Sequence, residues 1–205
     1  MDVRDRILDA TERLLGRFGY RKMSIDDIAA EAGIGRRTIY LHFAGKEDVA
    51  LSSIDRVVER LLDALRSIAG GRGSPEDRLR EMLIERVLFR FDSVHDYHGS
   101  LDDLFAALRP AYMARRGHYF DAEALIFAQV IAEGANTGAF AEVEVDQSAT
   151  TLLLATNALL PYSLSANELG KREDVAISAS RIANMLLDGL RLRNADPSRI
   201  TNPQP

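Results

Sequence analysis

Between Gly35 and Lys46 the chain carries three cations, Arg36, Arg37 and Lys46, and no carboxylate. Thr38, Tyr40 and His42 are interleaved with them. A guanidinium can give two parallel hydrogen bonds to O6 and N7 of guanine, which reads a base. Tyr40, His42 and Lys46 offer donors to phosphate oxygens, the source of most affinity for duplex DNA, and the Tyr40 ring can also touch a thymine methyl. A second acid-free run, Arg13 to Lys22, carries Arg13, Arg17, Arg21 and Lys22. Two arginines alone would be ordinary solvated charges, so the reading depends on the frame that holds them.

That frame is a helix, a turn and a helix. Ser24 is a natural N-cap, and Asp27 three residues on completes a capping box. Ile25, Ile28, Ala29 and Ala32 recur at helical spacing. Gly33 stops the helix, because glycine takes the left-handed conformation of a sharp turn without steric cost. A second helix opens after Gly35, with Ile34, Ile39 and Phe43 inward and Arg36, Arg37, Thr38 and Tyr40 outward at its N-terminal end. In a helix-turn-helix the start of the second helix enters the major groove. The expected DNA-contacting set is Arg36, Arg37 and Thr38 for bases, and Tyr40, His42 and Lys46 for phosphates. Ser24, at a helix N-terminus, joins it.

These residues resemble the tetracycline-repressor (TetR/AcrR) family of bacterial transcription regulators. The matching positions are Ala32-Gly33-Ile34, then Thr38-Ile39-Tyr40, His42-Phe43 and Lys46-Glu47, preceded by Ile7, Ala10, Leu14, Phe18 and Gly19 in the first helix. Gly35 stands where the family often has a serine N-cap, a small loss in capping. The resemblance covers roughly the first quarter of the chain. With helical spacing along nearly the whole chain and a change of pattern near Gly45, the expectation is an all-α protein: an N-terminal three-helix DNA-binding domain (1–45), a helical ligand-binding and dimerisation domain (46–195), and a flexible tail (196–205). The resemblance implies a regulator, most simply a repressor, released from its operator by a small molecule.

Composition is compatible with that expectation. The 205 residues are 46% hydrophobic and 28% charged, as in ordinary globular chains. The net charge of −5 lies outside the first fifty residues, which balance nine Lys/Arg against nine Asp/Glu and leave 17 against 22 for the remainder. Cysteine is absent, the N-terminus is charged unlike a secretory signal, and no apolar run reaches the roughly eighteen residues of a membrane span. A cytoplasmic protein with no membrane contact is expected.

Helical spacing predicts a first helix over 3–18, ended by Gly19, and a long helix from Lys46 to Ile68. A third long helix opens at Ser74-Pro75-Glu76-Asp77, and a polar loop spans Asp92 to Gly99. A helix from Ser100 is interrupted by Pro110, and another runs over 119–136. Ala139 to Val145 reads as an extended connector. Thr150 to Leu164 holds no charge, so it is apolar nearly all round and must be covered on more than one side. With the helix over 175–192 it suggests a four-helix, twofold homodimer contact through Leu153, Leu160, Ala179, Ile182 and Leu186. A dimer would meet a palindromic site with its two reading helices about one turn, or a multiple, apart.

Aromatic and sulfur side chains gather in the middle helices, and Pro110 and Pro161 lie in the same half. Apolar clefts between helices are common ligand sites. Phe89, Phe105, Tyr112, Met113 and Phe127, with Asn157 and Tyr162 as polar groups, are the expected lining for an unidentified, largely apolar small molecule. Further polar candidates are His95, His98 and His118. The tetrad His95-Asp96-Tyr97-His98 lacks further ligands nearby, and no phosphate loop, nucleophile elbow or zinc-helix motif occurs. No catalytic residue, metal or cofactor is expected. The rival readings are an effector-independent DNA-binding protein and, more weakly, a helical enzyme.

Overall fold

The computed structural model describes residues 2–95, 101–160 and 170–191, with only the backbone of 95 and of 101–105. These residues form α1 (Val3–Lys22), α2 (Ile25–Ala32), α3 (Arg36–His42), α4 (Lys46–Ala69), α5 (Pro75–His95), α6 (Leu101–Asn136), α7 (Val145–Thr156), a 3-10 turn (Asn157–Leu159) and α8 (Arg172–Leu190). The all-α expectation holds. The extended pairing among the described residues is one isolated antiparallel bridge, Phe140 to Arg191. No helix among them is long and apolar enough to cross a membrane.

Several boundaries differ from those that the spacing predicts. Gly19 does not end α1 but kinks it at φ 73°, ψ 168°, and one more turn follows to Lys22. The polar stretch Asp92 to His95 is the last turn of α5. Pro110 does not interrupt its helix: α6 runs unbroken through it. Proline removes one backbone hydrogen bond and frees the carbonyl four residues earlier. Pro110 and Ala106 both face solvent, where water can serve that carbonyl, while Leu108 and Tyr112 on the opposite side are buried. α7 begins at Val145, earlier than expected, and ends at Thr156. Residues 161–164 of the predicted helix lie outside the described residues, as do the tail, Tyr162 and residues 96–98 of the histidine-rich tetrad.

Two main apolar cores result. The first joins Ile7 and Leu14 of α1, Ile28 of α2, Ile39 of α3 and Val49 of α4 to Leu108 and Tyr112 of α6. The second is built around Leu61 and Leu65 of α4, Met82 of α5, Phe127 of α6, Leu153 of α7 and Leu187 of α8. A smaller cluster holds Val87, Phe91, Leu160, Val175 and Ala179, between α5 and α8. α6 therefore contributes to both main cores. Polar ties reinforce its seat on α4: Arg115 Nη1 lies 2.5 Å from Asp55 Oδ2, and the Tyr119 hydroxyl donates to the same carboxylate. Arg56 ties α4 to α1 through Asp9 at 2.7 Å and Glu12 at 2.8 Å.

At the far end of α6 the chain turns back over Gly134. Ala139 and Phe140 both donate their N–H to its carbonyl, at 2.8 and 3.0 Å. A β-carbon on Gly134 would sit 2.1 Å from the Phe140 ring. Glycine is required there by close approach, and Phe140 is almost completely covered.

Candidate nucleic-acid interface

The interface starts from the capping of α2. Ser24 Oγ accepts from the Asp27 N–H at 3.1 Å, and the Ser24 N–H donates to Asp27 Oδ2 at 2.9 Å. The Ser24 hydroxyl and backbone N–H hold the Asp27 carboxyl below the usual carboxylate range. At the other end Gly33 is left-handed (φ 65°, ψ 41°) and returns its N–H to the last turn. Arg6 of α1 donates to the Ala32 carbonyl at 2.7 Å, placing a cation at the negative end of α2. Arg13 and Arg17 clasp Glu31 at 2.7 and 2.6 Å, and they hold its carboxyl down, Arg13 first. Two cations of the acid-free run thus serve to fasten α1 to α2.

α3 is short, and two side chains seat it. Ile39 is completely buried and Phe43 nearly so; each contributes about 1.5–3 kcal/mol by leaving water. Helical geometry then turns the remaining side chains outward. Arg36, Arg37, Tyr40, Leu41 and His42 are exposed, and Thr38 is half-buried. Arg36 reaches Asp26 of α2 at 3.2 Å and the Tyr40 hydroxyl at 3.4 Å. Its guanidinium sits 5.7 Å from the centre of the Tyr40 ring. Its pKa is raised by the Tyr40 hydroxyl and then by the charge of Asp26. Arg37 has no such partner among the described residues. Lys46 turns back toward α1: its ammonium lies 4.4 Å from the Tyr20 ring centre and donates to the Arg21 carbonyl at 3.3 Å. Burial lowers its pKa below the ordinary lysine range.

Sequence reasoning missed Leu41, the most exposed large apolar side chain of α3 at 75%. It stands four residues after Arg37 and so beside it on the helix surface. That spacing was the available signal. Guanidinium, hydroxyl and methyl groups thus share one small convex face, the mixture that major-groove edges can meet.

Residues 7–52 match the family model described as bacterial regulatory proteins, tetR family. The HTH-type transcriptional regulator EthR of Mycobacterium tuberculosis is 41% identical over 75 residues, 37% of this chain and 33% of that protein. A transcriptional regulator of the TetR/AcrR family from Thermobifida fusca superposes at a TM-score of 0.62 with 27% identity, covering 92% of this chain and 98% of that one. The N-terminal segment thus carries the tetR-family pattern. The matched segment spans about a third of the EthR length. Beyond it, likeness is carried by the fold, as with a transcriptional regulator from Cytophaga hutchinsonii at a TM-score of 0.76 and 21% identity, covering 91% of this chain and 97% of that one.

Beyond that segment the residues expected to line a pocket are dispersed. Phe127 is fully buried in the second core, whereas Tyr112 is buried in the first. Met113 is 46% exposed on the surface of α6. Phe89 is half-buried at the edge of the second core. Asn157 accepts a hydrogen bond from Arg86 Nη2 at 2.9 Å. The side chains of Phe105 and His95, and the whole of Tyr162 and His98, lie outside the described residues. A groove of about 490 Å³ opens elsewhere, among Arg4 of α1, Val58, Glu59 and Leu62 of α4, and His118 and Tyr119 of α6. Of the described residues expected at the pocket, the further polar candidate His118 borders it.

The residues expected at a dimer contact divide in two. Leu153, Leu160 and Ala179 are completely covered within this chain, and Ile182 and Leu186 are half-buried. The outward apolar side chains of the same helices are Leu154, Ile177 and Met185, at 56%, 50% and 76% exposure, with Leu125 of α6 at 66%. An uncharged run such as Thr150 to Leu160 does not say which of its apolar sides meets its own core, and position 153 rather than 154 faces inward.

Sequence reasoning also missed a buried ionic cluster. Arg86 and Glu123 are 1% exposed. Arg86 Nε donates to Glu123 Oε2 at 2.6 Å, and Nη1 donates to Thr156 Oγ1 at 2.6 Å and to the Leu153 carbonyl at 3.2 Å. Arg90 donates to the other Glu123 oxygen. The legible signal was Arg86 and Arg90, one turn apart on the inward face of α5.

Proposed function

We propose that this chain is a homodimeric, ligand-responsive DNA-binding regulator that acts as a repressor and leaves a palindromic operator when a small, largely apolar molecule binds. The observation that carries this reading is α3: Ile39 and Phe43 anchor it while Arg37, Tyr40 and Leu41 stand in solvent, within the segment that matches the family. Arg36, Arg37 and Thr38 read bases; Tyr40, His42 and Ser24 meet phosphates. Lys46 reaches a phosphate by giving up its contact with the Arg21 carbonyl. The reading head occupies residues 1–45, and the rest binds effector and partner. An effector is supported by the likeness in fold to the Bacillus subtilis regulator FadR, solved in complex with stearoyl-CoA (TM-score 0.65, 16% identity, 91% of this chain and 98% of that one). A ligand that prefers one of two spacings of the reading heads shifts the protein toward it by differential affinity.

The test is selection of genomic fragments by the purified protein, followed by titration of the enriched duplex at several salt concentrations. Tight binding to a palindromic site, with log affinity falling linearly in log salt, is expected. Equal binding to every duplex would end the regulator reading.

The dimer has its own test. The outward row Leu154, Ile177 and Met185 is the surface that a second copy would cover. Met185→Glu puts a charge where burial would cost several kcal/mol. It is expected to convert a dimer into a monomer in light scattering and to weaken operator binding, since linked heads bind more tightly than single ones. A wild-type monomer at micromolar concentration, or an unaffected Met185→Glu dimer, would remove this surface from the reading.

A further inference from the structure

The buried cluster on α5 and α6 has a charge pattern that joining the helices does not require. Glu123 is shared by two guanidinium groups, that of Arg86 and that of Arg90. Arg86 also binds Thr156, the Leu153 carbonyl and Asn157, so it is fully employed in joining α5 to α7. Arg90 is different. It donates to Glu123 and to the Arg86 carbonyl at 3.2 Å, and its remaining N–H donors meet no acceptor among the described residues. Its side chain is 12% exposed, so one side of the group is still accessible. A guanidinium taken this far from water is expensive unless its donors are met. Apolar side chains on the same helix, Val87, Leu88 and Phe91, belong to the small cluster beside it.

We propose that Arg90 receives the anionic end of an amphipathic effector, a carboxylate or phosphate on an apolar tail. Glu123 and Arg86 hold the Arg90 guanidinium in place, and the anion supplies the acceptors that the described residues leave out. A charge-assisted, two-point contact of this kind is the strong form of anion recognition by arginine. The inference rests on the effector-responsive reading and adds to it the chemistry of the effector's head. It also makes the ligand's preference local: the same tail without a charge should bind less well.

The probes are dodecanoate, dodecyl phosphate and dodecanol, whose tails are identical. Binding is measured by calorimetry on the full chain, and operator release by anisotropy. At least one anion is expected to bind about tenfold or more tightly than the alcohol, and the better of the two identifies carboxylate or phosphate as the head. Arg90→Gln leaves Glu123 matched by Arg86, so it is expected to fold and to bind operator as before. It should lose the preference for the anion while keeping its affinity for the alcohol, and Arg90→Lys should keep part of the preference. An alcohol that binds as tightly as both anions, or a preference unchanged in Arg90→Gln, overturns the assignment. Failure of all three to bind overturns it as well. Failure of the unliganded protein to bind any operator overturns instead the reading on which it rests.

Discussion

Arg37→Ala is expected to bind the selected operator roughly 5- to 150-fold more weakly, the 1–3 kcal/mol or so of one bidentate base contact. The size follows from its surroundings. Arg37 is exposed at the outward start of α3 and has no partner among the described residues, so no protein contact is surrendered when it turns to a base. Arg36 must first leave Asp26 and the Tyr40 hydroxyl, and Arg36→Ala should therefore lose less. Competition binding with the operator and with a scrambled duplex separates the roles. A loss confined to the operator marks base readout; an equal loss on both, with a salt slope reduced by about one ion, would make Arg37 a phosphate contact.

Glu123→Ala is expected to destabilise the protein by about 3–5 kcal/mol, because it leaves the buried Arg86 and the part-buried Arg90 guanidinium groups without their carboxylate. For a chain of this size that is a fall of roughly 6–20 °C in Tm, readable by calorimetry. The same residue sets an acid limit. Burial pushes the Glu123 carboxyl up, but Arg90 and Arg86 together pull it down further, and its pKa ends below the ordinary glutamate range. A carboxylate depressed in the folded state stabilises at every pH above its unfolded value, and that contribution fades as the pH falls through the folded value. The gap in Tm between the protein and Glu123→Gln should accordingly be full at neutral pH and shrink in acid. A gap that is absent at neutral pH would mean that the cluster is not a source of stability.

Punctuation and period are the parts of this fold that the residues spell out. Ser24, Asp27 and Gly33 each act through the backbone of a few neighbouring residues, so their effect is local and the helix-turn-helix is legible from residue types and spacing. The inward positions of α3 follow from the same spacing. Pairings over long separations are not legible in this way. Glu31 looks like one more surface acid, yet it absorbs Arg13 and Arg17. Glu123 gives no hint of Arg86, 37 residues away in sequence. Pro110 misleads for a different reason: the cost of a proline depends on which side of the helix meets water, and that is decided by what Leu108 and Tyr112 touch. The outward apolar row is obscured by uniformity, since Leu153 and Leu154 are the same residue with opposite fates.

The dual allegiance of α6 has a practical meaning for the reading head. Part of the wall around Ile7, Ile28 and Ile39 is borrowed from Leu108 and Tyr112, far downstream in the chain. A fragment cut after Gly45 would carry a raw apolar scar where those two side chains belong. The rod that supplies them is about 54 Å long at 1.5 Å per residue, and its other end sinks Phe127 and Ile131 into the second core. Head and body are thus carpentered from one beam and should melt together.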